Sequence, residues 1–162
     1  MTTPYKALPI SPEALKALRV TDDAGNPTVA FTDPEGGAPL RCCLRRSAPG
    51  DRIALISYAP LRRWAAESGA TPGPYDEQGP AFIHAEPCQP PNHNTYPLIT
   101  APRVLRRYST EGRILGGHLL TDTDLSTETI TQAFTEAFSD PEVALVHVRA
   151  VEYGCFFYEV RR

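Results

Sequence analysis

Three side chains suited to chemistry fall within five positions of one another: His84, Glu86 and Cys88, in the stretch GPAFIHAEPC. GPAFIHA reads as a β-strand, and the prolines that follow end it. A thiol beside a histidine is favoured as thiolate, and a carboxylate can orient the ring, so these three are the candidate catalytic residues. The same histidine and thiol are zinc-ligand types, with Cys43 or Cys155 available to extend the set. However, no CxxC pair exists, and HAEPC is not the zinc helix motif HExxH, because Pro87 follows Glu86 and the second histidine is missing. Zinc therefore stands as an alternative, and no metal ligand is assigned. The plain reading is a polar strand end and a free cysteine that packs as a small hydrophobe.

The alternation of side chains along a strand says which other groups can join them. In PAFIHAE, Phe82, His84 and Glu86 share a face. In ALVHVRAV, His147 and Arg149 share a face, and in CFFYEVRR, Cys155 lies with Phe157 and Glu159. If the faces meet, His84, Glu86, His147, Arg149 and Cys155 line one pocket, and His84 and His147 face a single cavity. Arginines on strands suit a carboxylate or phosphate. Arg103 and Arg107 fall on one face, with Arg106 and Tyr108 on the other. For any one of them a solvated face with a snorkelling stem is the competing reading. No GxxxxGK[ST], GxGxxG or GxSxG motif is present, so the cofactor is left unassigned. TDTD, residues 121–124, has the look of a metal-binding DxD, but acidic residues ahead of a capped helix are favoured by the helix dipole alone.

The elements that must position these groups are short, because seventeen prolines and eleven glycines punctuate the chain. ISPEALKAL opens a helix, with Ser11 as cap and Pro12 at the first helical position. TVAFT reads as a short strand. PLRCCLRR and DRIALISY read as two strands around SAPG, the second apolar on both faces and so central. In that extended reading the adjacent Cys42 and Cys43 point to opposite faces. LRRWAAESG gives a short helix, and EPCQPPNHNTYP a long loop of the kind that often carries function. PRVLRRYS and GRILGGHLL form an antiparallel pair around STEG. The clearest helix follows: Ser126 caps it, Leu125 staples onto Ile130, and Ile130, Ala133, Phe134, Ala137 and Phe138 make its apolar face. ALVHVRAV and CFFYEVRR close the chain around EYG.

Composition bounds the class. A chain of 162 residues suits one domain with a core of its own. A net charge of −3 argues against a general nucleic-acid surface. Mean hydropathy is −0.29, and no apolar run approaches the ~20 residues of a membrane span. The start, MTTPYKALPISPEAL, has neither the basic nor the apolar region of a secretion signal. Four cysteines then predict reduced thiols in a cytoplasmic protein rather than a disulfide framework. Arginine accounts for 14 of the 16 basic residues, which genome composition explains for most of them.

As a set, PGDRIALISYAP, PYDEQGPAFIHAEPC, VLRRYSTEGRILGG and VHVRAVEYGCFFYEV resemble a bacterial family catalogued as domain of unknown function 1203, over roughly residues 38–162. Arg41, Cys43, Tyr75, Glu77, Gly79, Pro80, His84, Cys88, His147, Arg149 and Cys155 fit the family pattern. The family string Cys-Arg-His-Cys-Leu is met here by Leu40, Arg41, Cys42, Cys43 and Leu44. Its first cysteine and its histidine are therefore replaced, and no shared metal site is carried over to that string. The resemblance implies a compact cytosolic bacterial domain and no known reaction.

The sequence thus predicts a single α+β domain over residues 1–162, with a mixed, mostly antiparallel sheet and two or three helices packed on it. The favoured function is binding of a small molecule, an anion being one option, in a polar pocket lined by His, Arg, Glu and Cys, with enzymatic activity open. His84, Glu86 and Cys88 are its candidate catalytic residues. Arg41, Tyr75, Glu77, Arg107, His147 and Arg149 are its candidate substrate contacts. A structural zinc protein and a non-catalytic interaction module are the alternatives. The expected partners are a small-molecule ligand and, through an edge strand, a second copy of the chain; no nucleic acid or membrane partner is expected.

Overall fold

The computed structural model describes residues 2–98, 102–121 and 125–162. Its elements run α1 (Pro12–Leu18), β1 (Ala30–Thr32), β2 (Arg52–Tyr58), α2 (Pro60–Ser68), β3 (Gly79–His84), β4 (Arg103–Ser109), β5 (Ile114–Leu120), α3 (Thr127–Ser139), β6 (Val143–Ala150) and β7 (Phe156–Arg161). The α+β class holds. The strands divide into two sheets, ordered β1-β2-β3 and β5-β4-β6-β7, and every named pair is antiparallel. Among the described residues no helix is long and apolar enough to cross a membrane.

Local chemistry sets the helix ends. Ser11 accepts the Ala14 amide at 3.2 Å and Ser126 accepts the Thr129 amide at 3.1 Å, each satisfying a donor that the first turn leaves free. α2 begins on Pro60 and stops at Gly69, whose φ of +79° is the left-handed conformation that ends many helices. The TDTD stretch has residues 122–124 outside the described residues.

The large sheet is covered on both faces at β4, β6 and β7, while β5 is largely exposed. On one, the predicted apolar stripe of α3 meets Leu105, Val146, Val148, Tyr158 and Val160 in the main core cluster. On the other, Leu61 and Trp64 of α2 pack against Tyr108 and Leu145. A third cluster joins α1 to the small sheet: Leu15 and Leu18 meet Ile53, Ile56 and Ile83, with Cys42, Cys43 and Phe156 among them. β2 is the middle strand of its sheet, as its apolar sequence predicts, although Leu55 remains 52% exposed.

One predicted strand is absent. Residues 40–44 form a tight turn, with the Leu44 amide donating to the Leu40 carbonyl at 2.9 Å and Leu44 at φ +58°. Leu40, Arg41, Cys42, Cys43 and Leu44 are all buried. A strand half covered by a core buries every second residue; a turn inserted beneath the small sheet buries all five. Its link to that sheet is an isolated parallel bridge between Leu40 and Phe82, where the Arg41 amide donates to the Phe82 carbonyl at 2.8 Å.

Candidate metal centre

The turn at 40–44 overturns the expectation for the adjacent cysteines. Cys42 and Cys43 do not face opposite ways: their sulfurs lie 4.0 Å apart. The end of β3 brings His84 to the same point, with Nδ1 at 3.5 Å from Cys42 Sγ and 3.8 Å from Cys43 Sγ. The loop after β3 supplies Cys88, and the four donor atoms lie within 4.8 Å of one another. A tetrahedral zinc site has Zn–S near 2.3 Å and Zn–N near 2.0–2.1 Å, which sets S···S edges at about 3.8 Å and S···N edges at about 3.6 Å. The separations among Cys42, Cys43 and His84 match those edges, and Cys88 lies within 4.8 Å of each of them.

The surroundings of the cluster suit thiolates and an oriented imidazole. The His84 amide donates to Cys42 Sγ at 3.2 Å. His84 Nε2, on the far side of the ring, lies 3.4 Å from Asp51 Oδ2, and the same oxygen accepts the Ala48 amide at 2.8 Å. A ring held this way directs Nδ1 at the sulfurs, as carboxylates do behind metal-bound histidines. The hydrogen bond between the two thiols lowers the Cys43 thiol, and that bond together with burial raises Cys42. Burial raises Cys88. Arg19 fixes the strand end by donating to the carbonyls of His84 at 3.1 Å and Glu86 at 3.0 Å, while Arg45 holds the Gln89 carbonyl at 3.0 Å. Cys42, Cys88, Lys16 and Arg19 line one cleft.

The other predicted residues scatter. Glu86 is exposed and contributes its carbonyl to Arg19; Asp51, not Glu86, orients His84. His84 joins the cysteine cluster and His147 does not. They stand on strands of different sheets, and His147 is fully buried between the rings of Tyr108 and Phe156, at centroid distances of 4.6 and 4.9 Å. Arg41, 2% exposed, donates through Nε to the Phe156 carbonyl at 2.8 Å and lies over the Phe157 ring, so it braces the core. Arg107 crosses the face of Gly116 on β5. Tyr75 sits half-exposed in a one-turn helix, Gly73–Tyr75. Glu77 and Arg149 do meet: Glu77 Oε1 lies 3.1 Å from Arg149 and 2.6 Å from Arg106. Cys155 lies with these two at a separate cavity, away from the other thiols.

Sequence reasoning missed Cys42 and Asp51. Cys42 was missed because adjacent cysteines face one point only in a turn, and the packing that makes this turn is not written in LRCCL. Asp51 carried no signal, because it sits 33 positions from His84 in the chain.

The protein is thus an α+β domain of two antiparallel sheets that carries a Cys₃His cluster at the end of β3. The chain belongs to the family described as "Protein of unknown function (DUF1203)", whose model matches residues 37–162. All four cluster residues, and Asp51, lie inside that match. Comparison with the curated proteins and with the solved structures gives no match.

Proposed function

We propose that this protein is a metal-binding domain that holds one Zn²⁺ through Cys42, Cys43, Cys88 and His84 Nδ1. The observation that supports it is the set of four donor atoms, drawn from a turn, a strand end and a loop, within 4.8 Å of one another, with Cys42, Cys43 and His84 at the edge lengths of a zinc tetrahedron. Four protein ligands leave no position for a substrate, so the role is structural. The metal ties the 40–44 turn and the loop carrying Cys88 to the end of β3. Soft thiolates favour zinc over magnesium or calcium. Arg19 and Arg45 beside the cluster suit the net negative charge of three thiolates on a divalent ion. Reduced thiols of this kind fit the cytoplasm, and the family resemblance fits a bacterial source.

The test is metal analysis and native mass spectrometry of protein purified under reducing conditions. One zinc per chain is expected, retained in Cys155→Ser and lost in a Cys42→Ser/Cys88→Ser double variant. Metal-free protein that takes up no zinc at micromolar concentration overturns the reading.

A further inference from the structure

The two sheets leave a second site that the metal centre does not use. A cavity of about 240 Å³ lies between the start of β3, the β6–β7 turn and the end of β2. Tyr58, Pro60, Pro80 and Phe156 give it apolar walls, and Glu77 and Arg149 bring charge to it. The charges do not cancel. Arg106, reaching from β4, holds Glu77 Oε1 at 2.6 Å, and Arg149 approaches the same oxygen at 3.1 Å. Two guanidinium groups therefore share one carboxylate, and no other acidic side chain among the described residues pairs with either. Arg149 has 13% of its side chain exposed and spends Nε on the Gly154 carbonyl at 3.0 Å. A partly desolvated guanidinium with donors to spare is a strong, directional partner for a carboxylate.

We propose that this cavity binds a small organic carboxylate with an apolar or aromatic body, its head group on Arg149 and its body against Tyr58 and Phe156. Arg106 neutralises Glu77 and so leaves Arg149 as the surplus charge. Glu77, 47% exposed at the cavity margin, competes with the ligand and sets its affinity. Its apolar walls and one surplus guanidinium suit a small aromatic carboxylate such as benzoate. The site stands independently of the zinc reading, since none of the cluster residues lines it.

The test is calorimetric and NMR titration of the protein as purified with benzoate, and in parallel with inorganic phosphate. For a ligand of this size a Kd on the order of a millimolar is expected. Glu77→Gln removes the competing charge and should tighten binding roughly tenfold, while Arg149→Gln should weaken it by roughly tenfold or more. A gain in affinity cannot come from a damaged fold, so the Glu77 variant keeps the test decisive if Arg149→Gln is unstable. Benzoate should also slow alkylation of Cys155, which lines the same cavity, and leave Cys88 unaffected. Absence of benzoate binding, equal binding in all three proteins, or binding of phosphate alone overturns the proposal.

Discussion

His84 turns Nε2 toward Asp51, at 3.4 Å, and thereby turns Nδ1 toward the sulfurs of Cys42 and Cys43. The carboxylate is itself anchored by the Ala48 amide, so the ring is held from a short, hydrogen-bonded turn. Removing the charge while keeping the shape isolates this contribution. Asp51→Asn should bind one zinc with affinity lowered roughly 10–100-fold, as loss of an orienting carboxylate does elsewhere. Competition with a chromogenic chelator measures it; unchanged affinity would remove Asp51 from the site.

Zinc joined to three segments should stabilise the fold by mass action. At free zinc a thousandfold above Kd the contribution is about 4 kcal/mol, which for a chain of this length lowers Tm by roughly 8–16 °C when the metal is removed. Calorimetry with and without a strong chelator should show that drop in the wild type. The Cys42→Ser/Cys88→Ser variant should melt at the lower temperature under both conditions.

Arg41 belongs to the core rather than to a ligand site. It is fully enclosed, holds the Phe156 carbonyl and covers the Phe157 ring, and burial lowers its pKa to about 10, which leaves it charged at neutral pH. Arg41→Ala should cost about 2–4 kcal/mol in urea unfolding, because a buried carbonyl loses its donor. Arg41→Lys should recover little of that, since an ammonium cannot reproduce the planar fork.

His147 predicts an acid limit to stability. Burial holds its pKa below the ordinary value of 6.5, against the opposing pull of Glu159 at 3.8 Å and with Arg149 and Arg106 adding to the depression. The unfolded chain therefore binds a proton that the folded chain refuses. The contribution is fully present above about pH 6.5 and declines as pH falls toward the lowered value. Between pH 7.5 and 5.5, unfolding free energy should fall more steeply in the wild type than in His147→Phe. Equal slopes would mean that His147 accepts a proton in place.

Much of the backbone was legible in the chain. Ser11 with Pro12, Ser126 with its apolar stripe, and the turns STEG and EYG each act within a few residues, so local propensity and periodicity decide them. That holds for all three helices and for strands β2 to β7. The turn at 40–44 was not legible, because extended and turned conformations of LRCCL differ only in what they pack against.

The division between sequence and tertiary structure is sharpest at the two sites. Sequence alone determined that His84 ends a strand, that Cys88 follows in a proline-rich loop, and that His147 and Arg149 share a face. Only the fold decided which faces meet. It separated the two histidines into different sheets, joined Cys42 to Cys43 by burying a turn, and brought Asp51 behind a ring 33 residues away. Spacing along a strand fixes direction to within a face, whereas a metal tetrahedron needs donors placed to within an ångström from segments far apart in the chain, and that placement comes from packing.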